Sequence, residues 1–426
     1  MCQPRRHLLL LGVAASDSGD LALDELSEIL LRLPAKELCR LRVVSPSWRS
    51  LTLDPAFIAA HRARHHTEPL LALAYHGDDK AHIVDIVDTC GELVRRIPRG
   101  ELVRAGPTGE VDGIYMLRTH FDLVCVACRY QSRALWVLNP ATGAVLTLPE
   151  CRSVGLKARL WSLRRTTGPG PAVVPGLWPV ESYAFGRVST GEYKALRITG
   201  RGPFRNKFCE VITIDSHGSN HGPWRLTHDA PARICTGGWK LSHKIADETK
   251  CVVVHGVVHY LMDFRRSIYD NSWETTVEPG SIALFNLEIE QWTTILRAPA
   301  PLRSFLLYNI GNYSCRDLYM QLSLSHLRGC LVTVHNNHNI SLDLWFLTDF
   351  ENGLWVKKYS LPSHATGLFV YPLLALDDER ILFRHGLGLI KSYDLKTGMY
   401  TDVVQLETGS SNSTSIGIYT GSLLSS

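Results

Sequence analysis

The 426-residue sequence lacks the local signatures that usually mark chemistry. It has no Gly-x-Ser-x-Gly elbow to present a serine nucleophile, no glycine-rich loop ending in Lys-Ser/Thr to cradle phosphate, and no His-Glu-x-x-His pair for zinc. The expectation is a non-catalytic protein with no cofactor and no metal. No apolar run approaches the roughly 20 residues that cross a bilayer, so no membrane is expected. The run Leu8 to Ala15 behind Arg5, Arg6 and His7 is at the short limit for a secretory signal and reads as part of a disordered leader over residues 1–20. Charge of one sign is lacking too: 45 Lys and Arg face 41 Asp and Glu, a net +4. Without concentrated positive charge, no nucleic-acid partner is expected.

Cysteine is present without a framework. Eleven residues, an odd number at irregular spacing, suit a reducing compartment, and the cytoplasm or nucleus is the expected location. The sequons at Asn312, Asn339 and Asn412 then carry no weight. Cys125 and Cys128 have metal-ligand spacing, but they sit in an apolar run with no second pair and read as strand packing. His335 and His338 read as a polar hairpin tip. His61, His65 and His66 read as a solvated helix end.

What the sequence does have begins at Leu21. Leu26, Ile29, Leu30 and Leu33 follow the i, i+3, i+4, i+7 spacing of one helical face, and Pro34 ends that helix for want of an amide. Leu38 and Leu41 share a side of the next segment. Ser45-Pro46 and Asp54-Pro55 each offer an N-cap followed by proline at the first helical position; Trp48 and Leu51 follow the first, Phe57 and Ile58 the second. A unit of about 40 residues is too small to be stable alone without disulfides, metal or association. Cys39 is the only cysteine in it. Apolar residues too widely spread for the unit to bury imply a partner protein.

The string from Leu21 through Leu-Arg-Leu-Pro at 31–34, Arg-Val-Val at 42–44, Ser-Trp-Arg-Ser-Leu at 47–51 and Asp-Pro-Ala-Phe at 54–57 closely resembles the F-box, notably its plant form. It departs in Ala22, Glu25 and Val44. The resemblance implies docking on a Skp-type adaptor, which links to cullin and RING subunits of a ubiquitin ligase. Carried over position by position, Leu21, Leu26, Ile29, Leu30, Leu33, Pro34, Leu38, Leu41, Val44 and Trp48 are the adaptor-facing or helix-locking residues, some of them internal core.

From about Leu70 the pattern becomes alternating, rich in β-branched and aromatic residues bounded by turn formers. Strand-turn-strand units start near residues 88, 139, 215, 286, 349 and 394, somewhat looser than the roughly 40–50 residue period of familiar propeller blades. An α+β multidomain chain is expected: the F-box over 21–64, an all-β, six-bladed propeller-like domain over 70–407, and a flexible Ser/Thr/Gly-rich tail over 408–426. A β-sandwich pair or an irregular β domain is the competing fold. The motifs at 139–143, 190–194, 252–261, 342–347 and 392–395 resemble the F-box-associated, kelch-related region of plant F-box proteins, which implies capture of a protein target for ubiquitination. Most tryptophans read as blade core; Trp178 and Trp239, beside Pro and Gly, are the candidates for exposed target-binding anchors. Two alternatives stay open: an adaptor-binding scaffold without a degradation role, and a stand-alone propeller binding protein.

Overall fold

The computed structural model describes residues 23–33, 35–64, 69–76, 82–97, 114–128, 134–166, 180–200, 207–231, 233–236, 250–264, 277–309, 321–337, 340–362, 370–386, 389–405, 414–421 and 423–424. Four short helices come first: α1 (Leu23–Leu30), α2 (Ala35–Leu41), α3 (Pro46–Leu53) and α4 (Pro55–Arg64). Six sheets follow as blades: blades 2 to 6 are four-stranded, antiparallel and in chain order, each with its first strand innermost, and blade 1 has five strands, of which His120–Phe121 pairs in parallel with Ser415–Tyr419. Blade 2 is Ile114–Met116, Val124–Cys128, Leu135–Leu138 and Val145–Thr147; blade 3 is Val180–Arg187, Tyr193–Thr199, Phe208–Ile214 and Arg225–Leu226. Blade 4 is Cys251–Val254, Val257–Leu261, Ile282–Asn286 and Gln291–Leu296; blade 5 is Leu322–Leu327, Cys330–Asn337, Ser341–Asp349 and Leu354–Pro362. Blade 6 is Val370–Ala375, Arg380–His385, Leu389–Asp394 and Tyr400–Gln405.

Blade 1 closes the ring. Its three outer strands, Leu70–His76, His82–Val87 and Leu93–Ile97, come from the start of the domain, and its inner strand, Ser415–Tyr419, comes from the far end of the sequence. Leu70 pairs with Tyr419 and Ala74 with Ser415. Radial closure of this kind leaves only short, protected edges. The expectation of a flexible tail is corrected here, because Ser415 to Tyr419 is a fully buried strand. Its Ser/Thr/Gly-rich flanks hid a partner that lies nearly the whole chain away.

Each of the six blade interfaces has its own apolar core. Successive residues of a strand go to opposite interfaces: Leu71 and Leu73 pack toward blade 6, while Ala72 and Ala74 pack toward blade 2. Burial on both faces allows an inner strand such as Cys251–Val254 to carry apolar residues in succession. Cys125 is one such core residue, at the interface of blades 2 and 3, and burial pushes its thiol pKa up; the Cys128 side chain lies outside the described residues.

The six hairpins read from the sequence are the outermost hairpins of the six blades. They share one device. Asp88, Asn139, Asp215, Asn286, Asp349 and Asp394 end the third strand of each blade or follow it directly, and each accepts backbone N–H bonds from its own turn through Oδ1. This is the Asx-turn that these side chains favour. In five of the six the turn also contains a glycine at positive φ, as at Gly143 (φ 80°) and Gly398 (φ 68°), a conformation that side-chain-bearing residues resist. In the sixth, Glu290 takes φ 55°.

The meander of each blade gives the ring two unlike ends. Turns between first and second strands and between third and fourth strands lie at one end, and most are tight, as between Val254 and Val257 and between Leu327 and Cys330. The strand ends that lead into the connections between second and third strands, and from one blade to the next, lie at the other. Helices α5 (Val154–Thr166) and α6 (Ala300–Asn309) both belong to blade-to-blade connections. The first of the ring's outer strands starts at the tight-turn end, so α4 joins the ring there.

Candidate functional site

Helices α1 to α4 pack around a small core of Leu30, Leu31, Leu38, Phe57 and, from the other end of the sequence, Leu424. Leu26, Leu33, Leu41, Trp48 and Leu51 are half-buried against it. Asp54 caps α4, accepting from Ala56 N at 2.7 Å and Phe57 N at 3.3 Å. The predicted cap at Ser45 is realised only in its backbone: Ser45 is extended with Pro46 at the first helical position and makes no side-chain cap bond, its hydroxyl instead meeting that of Ser47 at 2.8 Å. Arg64 of α4 reaches Glu28 of α1 at 2.8 Å and holds that carboxyl below its usual range.

This packing sorts the predicted adaptor residues. Leu30 and Leu38 are interior, at 1% and 0% exposure, and serve as helix-locking core. Ile29 and Val44 point outward, at 49% and 69% exposure. Leu26, Leu33, Leu41 and Trp48 line the boundary between the two sets. Leu21 and Pro34 lie outside the described residues. Sequence reasoning passed over Val43, which is 89% exposed in the turn after α2; the Arg-Val-Val string was its only signal.

His61 is a correction. Expected at a solvated helix end, it is 1% exposed, with Nε2 against the Leu33 carbonyl at 2.9 Å and its ring stacked on Phe57. It thereby satisfies a carbonyl orphaned where α1 stops. His65 and His66 lie outside the described residues.

Trp178 and Trp239 also lie outside the described residues; the loop end of the ring is the end away from its junction with α4. Among the described residues at that end, α5 and α6 carry the exposed aromatic side chains, Trp161 at 54% and Tyr308 at 79%. A buried ion pair fixes the start of α5. Arg197 Nε donates to Glu210 at 2.7 Å, its Nη2 donates to Cys151 O at 2.8 Å, and its guanidinium lies 4.1 Å from the Trp224 ring centroid. Glu210 in turn accepts from Ser153 N at 2.7 Å, and Ser153 Oγ caps Leu156 N at 3.1 Å. His335 lies near this end as well. It is buried in the second strand of blade 5, with its ring 5.0 Å from Phe305 of α6, which corrects the reading of a polar tip; His338 is outside the described residues.

The mouth of the ring at the tight-turn end is crossed by the blade 2 segment Leu117–Phe121. Arg118 donates to the carbonyls of Leu324 at 3.0 Å and Pro372 at 2.9 Å, on the inner strands of blades 5 and 6. The His120 ring lies tilted against that of His326 with centroids 4.5 Å apart, and His255 approaches His326 at 6.3 Å. Burial, then the neighbouring His255, lowers the His326 pKa to about 4. Among the described residues no group of three His, Cys, Asp or Glu is arranged to hold a metal ion, and no helix is long and apolar enough to cross a membrane.

With this geometry in place, comparison with known proteins is decisive for the helices. Residues 19–59 match the F-box domain family. The chain carries an F-box. Its relatives are plant F-box proteins: it is similar to an F-box protein of Arabidopsis thaliana, 22% identical over 407 residues, 89% of this chain and 86% of that one. It is also similar to an F-box/kelch-repeat protein of the same plant, 23% identical over 407 residues and 89% of each chain. Among solved structures, an oligogalacturonate lyase in complex with manganese covers 78% of this chain and 73% of its own at a TM-score of 0.35 and 11% identity. That likeness is too distant to bear on function.

Proposed function

We propose that this protein is the substrate-recognition subunit of a Skp-cullin-F-box ubiquitin ligase: the F-box holds the Skp-type adaptor, and the loop end of the ring captures a protein target. One observation carries the adaptor half of the reading. Val43 and Val44 stand exposed beside a core that is closed without them, and exposed apolar side chains on a small helical unit are the chemistry of a docking surface. The relatives, F-box proteins that align over most of this chain, support it. The F-box joins the ring at the tight-turn end, and the opposite end, where Trp161 and Tyr308 are exposed, would take the target. The mechanism is proximity. A target held in fixed relation to the adaptor meets the conjugating enzyme as a nearly intramolecular partner, so no catalytic group is needed on this chain. The role belongs to the cytoplasm or nucleus, and no cofactor takes part.

The test is co-purification of the full-length protein with a Skp-type adaptor, beside the double variant Val43→Asp, Val44→Asp. Capture by the native chain and loss in the variant is the expected result. No capture by either would overturn the proposal in favour of a stand-alone binding protein, and capture without any change in target turnover would favour a scaffold.

A further inference from the structure

The residues after the ring-closing strand do not end on the ring. Thr420 N donates to Phe121 O at 2.9 Å, and at Gly421 the chain passes so close to Asp122 that a Cβ would stand 2.6 Å from the Asp122 Cβ and 2.7 Å from its Cα. Leu423 then enters the apolar core between blades 1 and 2. Leu424, fully buried, enters the core of the F-box beside Leu30, Leu31, Leu38 and Phe57. Polar contacts seal the junction. Cys39 Sγ donates to Leu423 O at 3.5 Å, and Arg42 Nη2 donates to Leu424 O at 3.0 Å and to Thr52 O at 2.8 Å. Arg42 Nε donates to Thr52 Oγ1 at 3.2 Å, so one guanidinium ties the end of α2, the end of α3 and this segment together.

We propose that the strand Ser415–Tyr419 together with Leu423 and Leu424 forms a strap that makes completion of the F-box core conditional on closure of the ring, with Leu424 and Arg42 as the positioning residues. The same segment supplies the inner strand of blade 1 and, among the described residues, one of the five buried apolar side chains of the F-box core. A helical unit this small is marginal by itself, so losing one of five core residues removes a large share of its apolar burial. A chain whose last strand is not in place therefore presents an incomplete F-box. A chain whose ring is closed holds its adaptor surface in fixed relation to the blades, as proximity-driven transfer requires. The adaptor-binding consequence rests on the function proposed above; the coupling of the two cores does not.

The test uses the full chain with Leu424→Asp, which would place an unpaired carboxylate in an apolar core, and the milder Leu424→Ala, which keeps the experiment readable should the first variant fold poorly. Hydrogen exchange is read separately in α2, α3 and blades 3 to 5. Exchange in α2 and α3 is expected to speed up roughly 30-fold or more, as truncation of a buried leucine produces, while blades 3 to 5 keep native protection. Adaptor capture is expected to fall about tenfold or more in step. Unchanged exchange in the helices of both variants would overturn the strap, and faster exchange with undiminished capture would overturn its link to the adaptor. Failure of the native chain to capture adaptor would instead count against the proposed function and leave the exchange result standing.

Discussion

The F-box closes its core with four leucines and a phenylalanine, one leucine taken from the far end of the sequence, and leaves Val43 and Val44 outside it. Each interface of the ring brings ten or more buried side chains together from two blades. The ring cores are built from the blades themselves, whereas the F-box core takes Leu424 from outside its helices. Removal of a large side chain should accordingly be felt most in the ring. Phe285 is fully buried between blades 3 and 4, edge-on to Trp292 at 5.2 Å. Phe285→Ala is expected to lower stability by about 3–5 kcal/mol in urea unfolding. A loss below about 1 kcal/mol would mean that the interface re-forms around the gap, and the contrast with the F-box would fail.

Acid should separate the two regions less strongly but in a definite order. Burial holds His259 and His326 at pKa values of about 4, and burial followed by the charge of Lys391 does the same for His385. The unfolded chain binds protons at these sites near pH 6.5, so the folded ring binds fewer protons between pH 6.5 and 4. Stability due to these groups is thus complete above pH 6.5 and is lost as pH falls toward 4. In the F-box, Arg64 lowers the Glu28 pKa. That contribution is present above the ordinary value of 4.5 and is lost only below it, and the pair is too exposed to weigh much. The thermal midpoint of the ring should therefore drop between pH 7 and pH 5 while hydrogen-exchange protection at the α1–α4 contact holds. A ring midpoint that stays flat over that interval would show that the histidines take up protons in the fold as readily as in the unfolded chain.

The same contrast governs what could be read in advance. The six outer hairpins were legible because an Asp or Asn closing a strand, followed within a few residues by a turn former, is a local signal with a local cause. The inner strand Ser415–Tyr419 was not, since nothing inside Ser-Ile-Gly-Ile-Tyr distinguishes it from its flanks until Leu70 to Ala74 pair with it. In the F-box, periodicity found the apolar positions of α1 but could not divide Ile29 from Leu30, adjacent residues of which one is exposed and the other interior. Their fates depend on α2, α4 and Leu424, and no spacing within eight residues encodes that. His61 escaped for the same reason: its partner is the carbonyl of Leu33, 28 positions earlier.

The smallest expected effect is the sharpest test of the comparison. Val43 and Val44 occupy the turn that ends α2, and neither belongs to the F-box core. Replacing both by serine removes exposed apolar surface without opening a cavity or stranding a buried polar group, so the thermal midpoint should stay within the shift expected of about 0.5 kcal/mol. The arithmetic of a docking surface runs the other way, because two side chains desolvated only in a complex act only on the complex. Unchanged stability with adaptor capture reduced tenfold or more would assign Val43 and Val44 to a partner. A marked loss of stability would instead mean that they already cover part of this chain, and that the F-box, like the ring, is satisfied from within.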